Sequence, residues 1–270
     1  MILDKKLIDL FYESKNRSIK WKKYFPVYEN LFEKYKNKEI TFVEIGVLDG
    51  GSLEIWKKYF GPKARIIGID NNPNCKQFEN DNFEIYIGSQ SDDTFWTEFY
   101  KKIGNVDIIL DDGGHSNDQQ IISLIQSIKY INDGGLYVVE DVHTSYQKQY
   151  GNPCKYSFIN FTKKIIDDVN FNIPNMKNFR YSLNNIIHSV QYFESIVSFG
   201  VNRTLCEENY QIANQGNKSN ISDTTLDFFF IKFRKKYAFL YKFKIIKKIE
   251  RLVIKLNYKY KSYKLRKYFR

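Results

Sequence analysis

Two short apolar runs that each end in carboxylates constrain the fold of this chain more than any other feature. Val106 to Leu110 are followed by Asp111-Asp112-Gly113-Gly114-His115, and Gly135 to Val139 are followed by Glu140-Asp141. Such short apolar runs are typical of strands that are buried on both faces. Side chains at the carboxyl ends of parallel strands project into the ligand crevice of an open sheet. The pattern therefore predicts an α/β fold in which carboxylates and an imidazole converge.

These carboxylates admit a structural and a functional interpretation. A single Asp at a strand end often only begins a turn or caps the next helix. Two acidic pairs on two strands of one sheet, however, repel one another unless a cation or a proton lies between them. This favours a functional cluster, which can hold a hard divalent cation and leave a base free for proton abstraction.

A glycine turn upstream predicts a second ligand in the same crevice. Its spacing, Gly46, Gly50 and Gly51, departs from the G-x-G-x-x-G fingerprint, which disfavours a pyrophosphate cradle. Asp70 follows the next apolar run, where an acidic side chain can accept hydrogen bonds from ribose hydroxyls. Glu44 inside the first strand suits a cationic ligand and repels a phosphorylated one. The pattern indicates a nucleoside that carries positive charge.

With these features the chain resembles the class I S-adenosylmethionine-dependent methyltransferases. Within that class it is most similar to the metal-dependent sugar O-methyltransferases that methylate macrocin and mycinamicin. The segments that carry the resemblance occur in the same order, and they are Val43–Val47, Gly50–Leu53, Gly68–Asp70, Gly88–Asp92, Asp111–His115, Gly134–Asp141 and Thr144–Tyr146.

The resemblance implies a Rossmann-like methyltransferase fold with a doubly wound, mostly parallel seven-stranded sheet. It implies that Asp112, Glu140 and Asp141 ligate magnesium or another divalent cation, and that His115 is the general base. The residues that it implies for the S-adenosylmethionine pocket are Glu44, Gly46, Ser52, Asp70, Asn71, Gln90 and Asp111. His143 is a rival base or ligand by its position alone, two residues after Asp141.

One departure from the family pattern concerns the loop after the first acidic pair. The family has Asp-Gly-Ser-His or Asp-Ala-Ser-His where this chain has Asp112-Gly113-Gly114-His115. The second glycine is expected to loosen the loop by about 0.5 to 1 kcal/mol of backbone entropy. The proposed ligand and the proposed base are both retained.

The pattern of apolar residues predicts three parts of the chain. Residues 1–39 form a helical cap, with two helices broken near Pro26, that can cover the cofactor. Residues 40–202 form the methyltransferase domain, and residues 203–270 form a linker and a basic amphipathic tail. The predicted helices of the domain are Ser52–Tyr59, Asp92–Ile103, Asn117–Ile131 and residues 155–170. Gly134-Gly135 are expected to stop the third of these helices before the next strand. Residues 186–192 and 196–201 are predicted to form an antiparallel edge hairpin.

Acceptor recognition is expected in the polar and aromatic insertion of residues 144–185, with Tyr146, Lys148 and Tyr150 as candidates. The expected acceptor is a sugar hydroxyl in a nucleotide sugar, a surface polysaccharide or a natural-product glycan precursor. A non-sugar small molecule is the nearest alternative acceptor. A non-catalytic binding protein that keeps the sheet is the alternative from another class.

The net charge of +11 belongs to the tail, because residues 232–270 hold 16 Lys or Arg against the single Glu250. Ile245, Ile249, Leu252 and Leu256 repeat at helical spacing, and basic residues occupy the other face. Three interpretations stay open. The helix contacts an anionic membrane surface, or it packs on its own domain or on a second subunit, or it binds nucleic acid, which is the least favoured.

Three widely spaced cysteines, Cys75, Cys154 and Cys206, offer neither a disulfide scaffold nor a zinc site of the C-x-x-C type. The N-terminus lacks a charged start followed by an apolar stretch, and no long apolar run occurs. The chain is therefore expected to be cytoplasmic, with peripheral contact at the inner membrane surface through the tail.

Overall fold

Seven strands form one sheet within the part of the chain that the computed structural model describes, which is residues 5–150, 155–170, 182–217 and 235–269. The strands are β1 Thr41–Ile45, β2 Arg65–Asp70, β3 Phe83–Ile87, β4 Val106–Asp111, β5 Ile131–Val139, β6 Ile187–Phe193 and β7 Ile196–Val201. Their order is β3-β2-β1-β4-β5-β7-β6. The pairs among β1 to β5 are parallel, and β7 is antiparallel to both β5 and β6. The carboxyl ends of the parallel strands therefore share one edge.

Helices cover both faces of this sheet. The α-helices of the described residues are α1 Leu7–Tyr12, α2 Tyr24–Phe32, α3 Gly51–Phe60, α4 Asp93–Ile103, α5 Asn117–Ser127, α6 Phe158–Val169 and α7 Lys244–Leu265. Successive residues of β1 point to opposite faces. Phe42 packs with Phe32 and Trp56 on one side, and Val43 packs with the core that contains Trp96 on the other. Both faces of the central strands are thus buried, which explains their continuous apolar runs.

The predicted break near Pro26 is wrong. Pro26 lies in the first turn of α2, where its missing N–H would have no partner within the helix. The interruption between the two helices falls instead at residues 13–23.

The predicted end of the third helix of the domain, which begins at Asn117, is also wrong. Helix α5 stops at Ser127, and a 3₁₀ turn leads into β5, which begins at Ile131. Ile131 pairs with Val106 and Leu136 pairs with Ile108, so the residues between them form an irregularity inside the ladder. Gly134 has a φ of +86°, a left-handed conformation that glycine adopts without steric cost. The two glycines mark this bulge and not a helix terminus.

The predicted edge hairpin and the predicted tail helix are both present. The hairpin turns through Glu194 and Ser195, and α7 carries the tail residues with helical spacing. The chain divides into two compact units between Gln211 and Ile212, so that α7 belongs to the second unit. Within the described residues, no helix combines the length and the apolar character required to cross a bilayer.

Candidate metal and cofactor site

The neighbouring parallel strands β4 and β5 deliver acidic residues to one edge of the sheet. Asp111 ends β4 opposite Val139 of β5, so that the next residues, Asp112 and Glu140, leave the sheet side by side. The backbone N–H of Glu140 donates to the carbonyl oxygen of Asp111 at 2.9 Å, which fixes the two chains relative to each other. The carboxylates converge as the strand ends predict.

Three side chains form a group that fits a metal ion. Ligand atoms of Asp112, His115 and Asp141 all lie within 4.8 Å of one another. His115 Nε2 is 3.9 Å from Asp112 Oδ1 and 3.5 Å from Asp141 Oδ2. His115 Nδ1 is buried and has no hydrogen-bond partner among the described residues. Carboxylate oxygens are the donors that Mg²⁺ and Ca²⁺ prefer, so the set fits a hard divalent cation.

Two members of this group have unusual backbone conformations. His115 has a φ of +57° and Asp141 a φ of +53°, in the left-handed region that non-glycine residues seldom occupy. Each such residue costs of order 1 to 3 kcal/mol and persists only where the surroundings fix it. The Thr144 hydroxyl donates to the His115 carbonyl oxygen at 3.0 Å and helps to hold one of them. Such strain clusters at active sites, which supports a functional interpretation of the group.

A lysine from residues 13–23, which we call the N-terminal strap, lies among the carboxylates. Lys20 Nζ is 2.5 Å from Asp112 Oδ2, 3.0 Å from Glu140 Oε1 and 3.4 Å from Glu44 Oε1. Only 4% of the Lys20 side chain is exposed. The strap therefore supplies the acidic cluster with a buried positive charge.

Helix α2 adds two phenol groups to the same cluster. The Tyr28 hydroxyl donates to Glu140 Oε1 and the Tyr24 hydroxyl donates to Asp141 Oδ1. Lys20, Tyr24 and Tyr28 follow one another at four-residue intervals. Glu140 is thus held by Lys20 and Tyr28, whereas Asp112 and Asp141 also face His115.

Burial governs the electrostatics of this centre. Burial raises the pKa of the Glu140 carboxyl well above its usual range and Asp112 raises it further, whereas Lys20 and Tyr28 oppose the shift. Burial also raises the pKa of Glu44, against the effect of Lys20. Burial alone would lower the pKa of Lys20, but Asp112, Glu140 and Glu44 together raise it well above the usual value. A buried charge of this kind depends on its partners.

A cavity of about 420 Å³ lies beside the cluster, within the size range of small-ligand sites. Its walls come from the carboxyl ends of β1, β2 and β4, from the loop after β3 and from the strap. Predicted site residues that line it are Gly46, Ser52, Asp70, Asn71, Gln90, Asp112, His115 and Asp141. The strap contributes Arg17, Ser18 and Ile19, so part of the N-terminal segment lines the cavity.

Gly46 and Asp70 shape the floor of the cavity. Gly46 has a φ of +96°, and a Cβ there would lie 2.2 Å from the carbonyl oxygen of Asp112. Gly46 therefore allows its backbone to lie close to the loop that begins at Asp112. Asp70 accepts hydrogen bonds from the backbone N–H groups of Val47, Leu48 and Asn72 at 2.8 to 3.2 Å. A carboxylate has about four acceptor positions, so one remains for a ligand hydroxyl.

Three of the predicted site residues lie behind the cavity wall. Glu44 is fully buried and accepts hydrogen bonds from Ser52 Oγ at 2.6 Å and Trp56 Nε1 at 3.1 Å. Asp111 accepts from Gln90 Nε2 at 3.1 Å and from the Tyr137 hydroxyl at 3.0 Å. Glu140 is held by Lys20 and Tyr28. All three can support groups that touch a ligand.

The rival histidine lies outside the cavity wall. His143 Nδ1 forms a hydrogen bond with Ser195 Oγ and is 3.8 Å from Asp141 Oδ1. Its ring meets the Trp21 ring edge to face, with the centroids 6.0 Å apart. Trp21 and Tyr146 are both about 60% exposed. The exposed Trp21 ring therefore lies against His143, on the Asp141 side of the acidic cluster.

Lys20, Tyr24 and Tyr28 contact the acidic cluster and were not predicted from the sequence. The strand-end argument selects residues that follow apolar runs, and Lys20 follows none. Tyr24 and Tyr28 lie in the segment that the sequence predicts only as a helical cap. The one signal in the sequence is the interval of four between the three residues, which suits one face of a helix.

Comparison with family models finds no match. Three curated relatives match about half of the chain. The chain is 33% identical over 141 residues to the demethylmacrocin O-methyltransferase of Streptomyces fradiae, which covers 50% of this chain and 35% of the relative. It is 31% identical over 156 residues to the mycinamicin VI 2''-O-methyltransferase of Micromonospora griseorubida, and this alignment covers 53% of this chain and 39% of the relative. It is 32% identical over 155 residues to the 8-demethyl-8-alpha-L-rhamnosyl tetracenomycin-C 2'-O-methyltransferase of Streptomyces olivaceus, and this alignment covers 53% of this chain and 40% of the relative. The chain thus spans well under half the length of these relatives.

Solved structures support the same relationship. The MycE methyltransferase of the mycinamycin pathway, in complex with Mg and SAH, superimposes with a TM-score of 0.64 at 25% identity over 74% of this chain and 55% of MycE. Its complex with Mg, SAH and mycinamycin VI gives a TM-score of 0.65 at the same identity, over 74% and 54% of the two chains. The predicted resemblance and the predicted Rossmann-like methyltransferase fold are therefore confirmed.

Proposed function

We propose that this chain is an S-adenosylmethionine-dependent and divalent-metal-dependent O-methyltransferase that acts on a sugar hydroxyl. One observation carries the proposal. The cavity bounded by Gly46, Asp70 and Gln90 opens directly onto the group of Asp112, His115 and Asp141. A methyl donor in the cavity and an acceptor hydroxyl at the acidic group would then be neighbours, which is the arrangement that methyl transfer requires.

The residues of the cavity fit the donor. Asp70 has an acceptor position for a ribose hydroxyl, and the carboxylates behind the wall favour a ligand with positive charge. When bound, S-adenosylmethionine supplies an electrophilic methyl group and the divalent cation supplies positive charge that stabilises an acceptor alkoxide. Asp112 and Asp141 would hold the cation, and Glu140 would join them if Lys20 released it. The strap excludes water above the donor.

His115 is the residue that we assign as general base. Its ring faces Asp112 and Asp141 through Nε2, at 3.9 Å and 3.5 Å, so a base at this position lies beside the residues that would hold the cation. General-base assistance contributes roughly 10²- to 10⁴-fold in rate. His143 does not line the cavity, and its Nδ1 is occupied by Ser195.

The acceptor is proposed to bind on the exposed aromatic side of the acidic group. Trp21, which packs against His143, and Tyr146 both present large exposed aromatic rings. Aromatic rings combine apolar area with little conformational entropy, which suits a sugar ring that has apolar faces and polar edges. The name of the mycinamicin relative, a 2''-O-methyltransferase, supports a sugar hydroxyl as the acceptor.

The tail is proposed to make peripheral contact with an anionic membrane. Ile245, Ile249, Leu252 and Leu256 are each more than half exposed, although they form the apolar stripe of α7. Lys247, Lys248, Arg251 and Lys255 lie on the same helix and are exposed as well. A helix with an exposed apolar stripe and a basic face is typical of interfacial helices. A second copy of the chain is the competing partner for the stripe.

The direct test uses the full chain with labelled S-adenosylmethionine, nucleotide sugars and glycans, with and without a chelator. We expect methyl transfer to a sugar that the chelator abolishes. His115→Ala should reduce turnover at least ~10²-fold while the affinity for SAH is unchanged, because the base does not bind the cofactor. His143→Ala is the matched control and should retain most of the turnover.

Three outcomes would contradict the proposal. Unchanged turnover in His115→Ala would remove this residue as the base. Transfer that survives the chelator would remove the metal from the reaction. A chain that binds SAH and metal but methylates no sugar, while it methylates another hydroxyl compound, would replace the sugar by a different acceptor.

A further inference from the structure

We propose that Lys20 and a divalent cation compete for the carboxylate of Glu140, so that the Lys20 ammonium must release Glu140 before Glu140 can ligate the metal. The inference rests on the proposed function, since it concerns the same metal centre. It adds a residue of the N-terminal strap that regulates metal binding.

The contacts of Glu140 carry the first step. Lys20 Nζ contacts both of its oxygens, at 3.0 Å and 3.3 Å, and the Tyr28 hydroxyl also donates to Oε1. Divalent ions such as Mg²⁺ bind carboxylate oxygen at about 2.0 to 2.1 Å and require a nearly ideal geometry. An ammonium shared between both oxygens occupies the approach that such an ion needs. Glu140 therefore serves either Lys20 or a metal.

Asp112 differs from Glu140 because its two oxygens face different partners. Oδ2 contacts Lys20 at 2.5 Å, and Oδ1 lies on the side of His115 Nε2, 3.9 Å away. Asp112 can thus hold Lys20 and contribute to the group of Asp112, His115 and Asp141 at once. An ion at that group would lie within a few ångströms of a buried ammonium. Like charges at such separations repel strongly where water is excluded.

The position of Lys20 in the chain links this competition to the cofactor cavity. Lys20 lies in the strap, which has no helix or strand of its own at this point, so displacement of the ammonium breaks no regular element. The three residues before it, Arg17, Ser18 and Ile19, form part of the cavity wall. A movement of Lys20 away from Glu140 therefore displaces residues of the cavity wall. Metal binding and cofactor binding are coupled because both depend on the position of the strap.

The experiment measures the affinity of the full chain for Mn²⁺ by calorimetry, without acceptor. Lys20→Met keeps the length of the side chain and removes its charge. We expect the dissociation constant to fall at least ~10-fold in this variant, because the ion no longer displaces a cation or binds beside one. Lys22→Met is the matched control, since Lys22 is exposed and only two residues away. Its affinity for Mn²⁺ should equal that of the unaltered chain.

A Lys20→Met variant that binds Mn²⁺ with equal or lower affinity would overturn the competition. A second measurement needs no variant and so stands even if Lys20→Met fails to fold. Acylation of the Lys20 amine, followed by mass spectrometry, should be slow in the metal-free chain and faster with saturating Mn²⁺. Acylation that Mn²⁺ leaves unchanged or slows would also overturn the proposal.

The same measurements separate this inference from the proposed function. If the unaltered chain binds Mn²⁺ and the affinity rises in Lys20→Met, the competition holds even when no sugar is methylated. If methyl transfer to a sugar is found but the affinity for Mn²⁺ is the same in both chains, the function holds and the competition fails. If neither chain binds Mn²⁺, both proposals fail together.

Discussion

Asp111 is a carboxylic acid that the fold buries without a cation as its direct partner. Tyr137, Gln90 and the backbone N–H of Gly113 donate to it, but burial outweighs them and raises its pKa to about 6. An aspartate in an unfolded chain titrates near ~3.9. The folded chain therefore binds this proton more tightly than the unfolded chain. The stability that this contributes is fully present at low pH and is lost as the pH rises through about 6.

Asp111→Asn should remove this pH dependence. We expect the free energy of unfolding of the unaltered chain, relative to the variant, to decrease by about 2 kcal/mol between pH 4.5 and pH 7.5. Urea unfolding at both values, with a chelator present, measures the difference. A difference that stays constant over this range would show that the burial of Asp111 does not shift its titration.

The residues of the site differ in how far the sequence predicts them. Asp112, His115 and Asp141 were predicted because strand ends in a parallel sheet meet at one edge. Glu44 and Asp111 were predicted as contacts of the cofactor, but alternation along each strand turns them behind the cavity wall. Lys20 escaped prediction because its partners Glu44, Asp112 and Glu140 lie 24, 92 and 120 residues later, and no local pattern in the strap indicates contacts with them.

At the scale of elements, the strap and the start of α3 lie in close contact. A Cβ on Gly51 would lie 2.4 Å from the carbonyl oxygen of Asn16 and 2.5 Å from that of Arg17. The Ser14 hydroxyl donates to the Gly51 carbonyl oxygen at 3.2 Å, and the backbone N–H of Lys15 donates to Glu54 Oε2 at 3.1 Å. The strap thus lies on a helix terminus that a side chain would obstruct.

Gly51→Ala should displace the strap while the sheet remains folded. Alanine is the better helix former by about 1 kcal/mol, which by itself would stabilise the variant. The steric conflict with the strap should cost about 1 to 3 kcal/mol, so a net loss of stability would be due to this conflict. We expect the affinity for SAH to fall, because the strap forms part of the cavity wall. Calorimetry with SAH and urea unfolding measure both effects. A variant that is more stable than the parent and binds SAH equally well would contradict the steric argument.

The elements differ in the strength of their sequence signals. Strands β1, β2 and β4 are apolar runs between turn residues, and the sequence predicts them within a residue or two. The start of β5 was missed because Ile131 is separated from the apolar run by polar residues and two glycines. Strand β3 was not assigned from its own residues, since it is short and lies at the edge, where Glu84 and Tyr86 alternate with buried positions. Tertiary pairing decides such segments.

At the scale of the whole molecule, charge is divided unevenly between the parts of the chain. The basic residues of α7 lie in the second unit, apart in sequence from the acidic centre of the first. The tail is the strongly basic part of the chain. Its exposed lysines act on whatever surface the tail meets.

Replacement of Lys247, Lys248, Arg251 and Lys255 by Gln should weaken binding to vesicles that contain anionic lipid. Each basic residue near such a surface contributes about 1 kcal/mol, so the four together predict a loss of about 10³-fold. Cosedimentation with vesicles measures it, and Lys101→Gln with Lys102→Gln on exposed positions of α4 is the control. Two results together would assign the tail to a second subunit instead. The unaltered chain would not bind vesicles, and its monomer–dimer equilibrium would respond to changes in Ile249 or Leu252.

The long separation between Lys20 and its acids has a consequence for synthesis of the chain. Chains are made from the N-terminus and domains fold as they emerge. Lys20 leaves the ribosome 92 residues before Asp112 and 120 residues before Glu140, so until β4 and β5 emerge Glu44 is the one of its three carboxylate partners that its ammonium can contact. The centre can close only after β4 and β5 have paired, and a nascent chain halted before β5 would expose its N-terminal lysines to proteases.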